Sequence, residues 1–245
     1  MKQADFTILE NKKLTENVRL LYLQGDTSGI TRPGQFVNLK LEGRFLRRPL
    51  SVCDREDGRL TLIYKITGAG TGQLSLLPAG TKLDLLTGLG NGYDLREAGP
   101  DPLVIGGGVG IPPLYYLTRE LIAAGRKVTA VLGFNTAGEI FYTDEFRSLG
   151  ANVLVTTADG SHGIRGFVTD ALPGLDYSAY YACGPEPMLK AVWQKAKGPG
   201  QLSFEERMGC GFGACMGCSC RTVTGYKRIC KEGPVLRKEE ILWNA

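Results

Sequence analysis

The sequence predicts a multi-domain β plus α/β protein: a small antiparallel β-barrel, a parallel-sheet α/β domain and a short C-terminal cysteine segment. Three observations predict it. Up to about residue 97 the chain is a series of short apolar runs broken by turn signals. After Gly99-Pro100 strand-like and helix-like stretches alternate. Near the end, five of the chain's seven cysteines fall between Met208 and Cys230.

The barrel is expected over residues 1–98. Its strands are DFTILENKKL, NVRLLYLQ, GQFVNLKLE, RPLSVCD, RLTLIYKIT and TKLDLLTGL, rich in Val, Leu, Ile and Tyr. Turn signals such as Thr31-Arg32-Pro33-Gly34 and Asp57-Gly58 separate them, and six short strands at this spacing suit a closed barrel. The α/β domain is expected over 99–200. PLVIGGGVG reads as a buried strand entering a glycine loop. PPLYYLTRELIAAG has helical spacing, with Leu114, Leu117, Leu121 and Ile122 on one face and Gly125 as a stop. KVTAVLGF, NVLVTT and YSAYYACG continue as strands, TDEFRSLG and PEPMLKAVWQKAK as helices, which means a parallel sheet with crossovers. QLSFEER is a short strand leading into the third part, 201–245.

The 245 residues suit one large domain or two to three small ones, and 43% hydrophobic content supports real cores. A net charge of +4, from 29 basic and 25 acidic residues, is too small and scattered for nucleic-acid binding. The N-terminal MKQADFTILENKKL lacks a signal-peptide core, and no run approaches the ~18 apolar residues of a membrane span, so a soluble, cytoplasmic protein is expected. In a reducing compartment, clustered cysteines read as metal ligands rather than a disulfide framework.

The cysteine spacing is Cys210-x4-Cys215-x2-Cys218, then eleven residues to Cys230. That is the ligand order of plant-type [2Fe–2S] clusters. Gly211, Gly213 and Gly217 let backbone N–H groups turn toward the sulfurs without side-chain clash. Structural zinc prefers two short knuckles and often histidine; here there is one C-x2-C pair of ligands and a single, distant histidine. Cys220 is expected to be a spectator that packs locally.

RRPLS (Arg47 to Ser51), IYK (Ile63 to Lys65) and GAGT (Gly68 to Thr71) carry a flavin-type pattern. A flavin dinucleotide needs a cation for its pyrophosphate, which Arg48 supplies. Ser51 offers a hydroxyl near the ring, and Gly70-Thr71 a phosphate turn. The plainer alternatives are a strand start and an ordinary turn. VIGGGVGIPPL (Val104 to Leu114) is a strand, a glycine loop and a helix start, but Ile111 stands where a dinucleotide fingerprint needs its last glycine. A second loop, ACGPEPML, ends the fourth strand, and such loops at carboxyl strand ends are where these sheets bind ligands. The plainer readings are a packing turn for the glycines and a small buried residue for Cys183. GFNTAG, at the end of the second strand, has no Arg or Lys for a 2′-phosphate, which favours NAD(H) over NADP(H).

Over residues 1 to about 200 this layout resembles the ferredoxin–NADP reductase family. The resemblance implies FAD contacts at Arg48, Pro49, Leu50, Ser51, Ile63, Tyr64, Lys65, Gly70 and Thr71. It implies NAD contacts at Gly106, Gly107, Gly108, Cys183, Gly184 and Pro185. With EERMGCGFGACMGCSC and the terminal CKEGPV added, essentially the whole chain resembles the electron transfer subunits of the dihydroorotate dehydrogenase B family. That likeness implies a partner, an FMN-containing dihydroorotate dehydrogenase catalytic subunit, in a heterotetramer of two of each. It implies electron flow from dihydroorotate through FMN, [2Fe–2S] and FAD to NAD+ in pyrimidine (UMP) biosynthesis.

The parts also make sense together. Nicotinamide exchanges two electrons as hydride, a [2Fe–2S] cluster exchanges one, and a flavin does both. No catalytic side chain and no organic-substrate pocket are evident, so the electrons are expected to pass through another protein docked near the cluster. Two other readings share the residues: a small FAD/[2Fe–2S] subunit of an NAD(P)H–ferredoxin oxidoreductase or sulfide dehydrogenase, and a redox sensor without turnover.

Overall fold

A computed structural model describes residues 1–243; the last two positions of the expected 201–245 segment lie outside the described residues. The six expected barrel strands all form: β1 (Lys2–Lys13), β2 (Val18–Gln24), β3 (Phe36–Leu39), β4 (Arg48–Glu56), β5 (Arg59–Lys65) and, after a short helix α1 (Ala69–Ser75), β6 (Lys82–Leu89). They close in the order β1-β2-β5-β4-β3-β6. Side chains alternate as a half-buried pleat requires: on β5, Leu60, Leu62 and Tyr64 point into the barrel, whereas Ile63 faces out into a second core. The helix α1 is additional to the sequence reading. Its AGTGQLS run is a poor helix former, but Leu74 is fully buried in the barrel core, worth about 1.5–3 kcal/mol.

The α/β part contains β7 (Leu103–Gly107), α2 (Pro112–Ala123), β8 (Thr129–Phe134), α3 (Thr143–Ser148), β9 (Asn152–Thr157), the short β10 (Ile164–Arg165), β11 (Tyr180–Cys183), α4 (Glu186–Lys195) and β12 (Gly200–Ser203). The sheet order is β10-β9-β8-β7-β11-β12-β15, where β15 is Val235–Arg237. All pairs are parallel except β12 with β15. As its spacing foretold, α2 buries Leu114, Leu117 and Leu121, with Ile122 half-buried. That face packs with Val18, Leu20, Cys53 and Ile63 of the barrel in one core. Arg119 of α2 also pairs with Asp54 of β4 at 2.8 Å. The barrel strand that carries RRPLS is thereby fixed against the sheet.

The cysteine segment is not an appendage. It leaves the sheet through β12, forms a hairpin of β13 (Ser219–Thr222) and β14 (Gly225–Arg228), and returns to the same sheet as β15. Cys218, Ile229 and Cys230 are buried beside Phe36, Leu202 and Leu236. Among the described residues no helix is long and apolar enough to cross a membrane.

Candidate functional site

The cysteine loop brings its thiols together in two pairs. The backbone N–H groups of Ala214 and Cys215 donate to Cys210 Sγ at 3.2 and 3.4 Å, and the N–H of Cys210 donates to Cys215 Sγ at 3.5 Å. The N–H of Cys230 donates to Cys218 Sγ at 3.4 Å. Burial raises the Cys210 thiol pKa, but N–H donors from Phe212, Cys215 and Ala214 outweigh it and pull the pKa down to about 6. Burial, with Cys218 alongside, pushes Cys230 up to about 12. Among the described residues no three candidate ligands converge on a single metal ion; a two-iron cluster asks instead for two thiolates per iron, with amide donors on the sulfurs. The donor set fits that group. Gly211 has φ +79°, so the loop curls as an L side chain would resist. Met216, with φ 61°, takes the same strained turn without glycine's freedom. Arg228 donates to the Gly213 carbonyl at 2.7 Å and is ion-paired with Glu232, tying the first part of the loop to the turn around Cys230. Cys220 lies on β13 opposite Lys227, outside both pairs, and burial raises its pKa.

The residues expected to hold FAD divide by direction. Arg48 and Gly70 meet: a Cβ on Gly70 would overlap the guanidinium, with Cζ only 3.0 Å away. Thr71 Oγ1 accepts from the N–H groups of Thr67 and Gly68 at 3.0 and 3.3 Å and shapes the turn. Leu50 packs toward the barrel interior, so alternation turns Pro49 and Ser51 outward. Tyr64 is buried in the barrel with its hydroxyl on Asn11 Oδ1 at 3.1 Å, and burial pushes its pKa up to about 12. It reaches a ligand only through its backbone. Ile63 is buried at the barrel–sheet interface, and Lys65 is exposed at the end of β5. The cradle of Arg48, Gly70 and the outward β4 residues fits a dinucleotide.

The two loops expected around NAD interlock. Gly106 pairs in register with Cys183 across β7 and β11. A Cβ on Gly110 would stand 2.5 Å from the Cys183 carbonyl carbon, and one on Gly107 would overlap Met188 Sδ. These glycines have a packing role. Gly108 differs: its φ is +51° and open space surrounds its Cα. Burial pushes the Cys183 thiol up to about 12, against a partly offsetting hydrogen bond to Ser203, so it stays neutral.

A cleft of about 800 Å³ joins the three parts. Arg48 and Pro49 line it from the barrel, Gly184 and Pro185 from the sheet, and Met208 and Cys220 from the cysteine segment. Phe204 and Trp243, absent from the sequence reading, also line it, with ring centroids 5.3 Å apart. The only signal for Phe204 was its place just after β12; Trp243 lies 39 positions later (243 − 204), with no motif to join them.

The paired cysteines themselves stand outside the cleft's lining, but the barrel, the sheet and the segment that carries those cysteines all border it, and together they define a flavin–nicotinamide reductase fold carrying an iron–sulfur segment. Two family models match: the iron-sulfur cluster binding domain of dihydroorotate dehydrogenase B over residues 205–242, and the oxidoreductase NAD-binding domain over 104–194. The dihydroorotate dehydrogenase B (NAD(+)) electron transfer subunit of Shouchella clausii is 42% identical, covering 98% of both chains. That of a Geobacillus species is 43% identical over 99% of both. A solved NADH-dependent reduced ferredoxin-NADP oxidoreductase, from work on flavin-based electron bifurcation, superposes with a TM-score of 0.89 at 34% identity, covering 97% of this chain and 90% of that one. A ferredoxin NADP+ reductase from Neisseria gonorrhoeae shares the fold, with a TM-score of 0.70 at 19% identity, covering 80% of this chain and 90% of that one. The chain belongs to the family of dihydroorotate dehydrogenase B electron transfer subunits.

Proposed function

We propose that this chain carries electrons from an FMN-containing dihydroorotate dehydrogenase partner, through a [2Fe–2S] cluster and FAD, to NAD+ in cytoplasmic pyrimidine biosynthesis. The observation that carries this reading is the single cleft where the RRPLS strand, the Cys183 loop and the cysteine segment converge. Bound there, a flavin converts the two-electron exchange of nicotinamide into the single-electron exchange of the cluster. Residues 1–98 serve FAD, 99–200 serve NAD and 201–245 serve the cluster. Arg48 neutralises the pyrophosphate, Gly70 and Thr71 shape its turn, Pro49, Ser51 and Lys65 offer side chains on the outer face, and Leu50, Ile63 and Tyr64, whose side chains are packed in the cores, contribute backbone alone. Gly106, Gly107, Gly108, Cys183, Gly184 and Pro185 receive the nicotinamide dinucleotide. Cys210 and Cys215 hold one iron, Cys218 and Cys230 the other, as their pairing supports.

The partner docks over the cluster loop, where Phe212 and Met216 are exposed on either side of Cys215, in a heterotetramer of two subunits of each kind. Co-purification tests the proposal. An FMN-bearing subunit that reduces NAD+ with dihydroorotate only when this chain is present supports it; full activity without this chain sinks it. A second reading, a subunit of a ferredoxin-linked NAD(P)H oxidoreductase, is favoured by the 0.89 superposition at 34% identity. The higher identity of the dihydroorotate dehydrogenase relatives weighs toward the first. Oxidation of reduced ferredoxin in place of dihydroorotate would establish the second.

A further inference from the structure

On β4 the alternation that runs through Leu50 and Val52, both packed toward the barrel interior, would send Asp54 inward as well. A carboxylate there would be buried among apolar side chains, which is costly. The pairing with β5 slips at that point: Val52 lies opposite Leu62 but Asp54 opposite Thr61, so Cys53 is an extra residue on β4. Such a bulge bends the strand and re-aims the side chains at it. Cys53 packs in the core between barrel and sheet, and Asp54 turns the same way, toward α2.

There it meets Arg119. Arg119 Nη1 pairs with Asp54 Oδ1 at 2.8 Å, and Arg119 Nη2 donates to the Arg55 carbonyl at 3.0 Å. One guanidinium thus holds a side-chain oxygen and a backbone oxygen of adjacent β4 residues. Buried Tyr116, on the same helix, lies under it, with the guanidinium carbon 4.9 Å from the ring centroid. The Asp54 side chain is 15% exposed and that of Arg119 28%, so salt and water screen the pair little. Glu120, 3.3 Å from Arg119, is the more exposed of its two carboxylates. The apolar core between barrel and α2 is non-directional and resists separation more than sliding. A forked guanidinium contact fixes one geometry.

The pair stands about equally far from the two proposed cofactor sites. Arg119 lies seven positions beyond Pro112 (119 − 112), about 10 Å along α2 from the end that follows Gly108. Asp54 lies three positions beyond Ser51 (54 − 51), about 10 Å along β4. We propose that Asp54 and Arg119 are positioning residues for hydride transfer: through them the strand that takes the flavin and the helix whose start takes the nicotinamide dinucleotide keep one relative angle. This rests on the reading above that β4 holds FAD and the loop at Gly106 to Gly108 holds NAD. The hydride that leaves NADH, giving NAD+, reduces FAD to FADH−, and the reacting atoms must approach within about 3–3.5 Å. A displacement of about 1 Å, caused far from the chemistry, slows such a step by up to about a hundredfold.

The test uses the full chain loaded with FAD and iron. The double variant Asp54→Leu with Arg119→Met removes both charges together, which leaves neither partner unpaired and often preserves stability. Arg119→Lys keeps the charge, but a single ammonium cannot reproduce the fork. Arg147→Met, which breaks the exposed pair with Asp144, is the control. Four quantities are read: the anaerobic rate of FAD reduction by NADH, the long-wavelength charge-transfer absorbance on adding NADH, FAD retained on dialysis, and the urea unfolding midpoint. The double variant is expected to keep the parental midpoint and its FAD. That FAD should be reduced about ten- to a hundredfold more slowly, with a weaker charge-transfer band. Arg119→Lys should move rate and band in the same direction by a smaller factor, and carries the test alone if the double variant does not fold. Arg147→Met should match the parent throughout. Parental rate and band in either folded variant would overturn the positioning role. So would a slower rate that only tracks lost FAD or a lowered midpoint, the mark of a purely structural pair. If the parent binds no FAD, or binds FAD that NADH does not reduce, the underlying reading fails instead.

Discussion

Gly70 of α1 rests against the Arg48 guanidinium, so that a Cβ there would stand only 3.0 Å from Cζ and overlap the group. The contact joins two residues that the sequence separates by a whole β-hairpin, and it makes a paired prediction. Arg48→Ala removes a charge-assisted contact worth about 1.5–3 kcal/mol, so FAD affinity should fall roughly ten- to a hundredfold. Gly70→Ala displaces the same guanidinium and should weaken FAD in the same direction. Its unfolding midpoint should change little, because the obstructing atoms end a flexible side chain. FAD occupancy after dialysis checks both; parental occupancy in both variants would refute the cradle.

The cysteine pairs predict a spectroscopic pattern. Serine at 210, 215, 218 or 230 removes a thiolate from one of the two pairs, and each substitution should abolish the visible absorbance of the cluster. Cys220→Ser should leave it, since Cys220 lies on the hairpin outside both pairs. Absorbance and iron content of anaerobically prepared variants provide the check. A full cluster in any of the first four would break the ligand assignment.

Much of this architecture was legible because periodicity carries it. Six alternating runs became six barrel strands, and Leu114, Leu117 and Leu121 gave one buried face of α2. What was not legible was what periodicity does not encode. The three-residue β15 is too short to show a pattern, yet it returns the cysteine segment to the sheet. The α1 run reads as a glycine turn, and only the burial of Leu74 makes it a helix. Tyr64 belongs to a motif for a flavin, yet barrel alternation turns its side chain inward. The cysteine spacing named four candidate ligands, but their pairing and the approach of Asn38 from a strand 172 positions away needed coordinates.

Asp94 makes a pH-dependent prediction at the junction of barrel and sheet. Its carboxylate accepts from Arg96 at 2.6 Å and caps the turn that follows, while its carbonyl accepts from Tyr181 and Gln201. The Arg96 hydrogen bond pulls its pKa from 3.8 down to about 2. A carboxyl whose pKa falls on folding stabilises the fold above its unfolded value and loses that stabilisation as pH drops through the folded value. Arg96 is mostly exposed, so screening limits the effect to about 1 kcal/mol or less. Asp94→Asn should therefore be less stable than the parent at pH 7, with the gap closing progressively between about pH 5 and pH 1. Urea unfolding across that range measures it; a gap that stays at its neutral-pH size down to about pH 1 would contradict the charge-based account.

Coenzyme choice follows from the loop after β8. Its GFNTAG stretch carries no cation, and Glu139 sits beside it, accepting from the Asn135 side chain at 2.8 Å. A carboxylate repels a 2′-phosphate and suits a free 2′-hydroxyl. NADH should outperform NADPH in dye reduction, and Glu139→Ala should narrow the difference by improving NADPH. Equal rates for the two coenzymes in the parent protein would undo the argument.

The proposed docking of a partner over the cluster loop would separate the two halves of the proposed electron path, and that separation can be measured. Phe212 is 43% exposed and Met216 54% exposed, so each already presents apolar surface to solvent next to a proposed iron ligand. Burying such surface against a partner is favourable at about 25 cal/mol per Å², and a charge placed there without a counterion opposes it. Phe212→Glu should therefore leave NADH-driven dye reduction intact, because the barrel and the interlocked glycine loops lie elsewhere. It should sharply reduce dihydroorotate-dependent NAD+ reduction once the partner is added. The variant's absorbance must first match the parent's, so that a damaged cluster is not mistaken for failed docking. With the cluster intact, undiminished coupled activity would move the docking face away from this loop, while loss of both activities would place Phe212 in the internal path rather than at the interface.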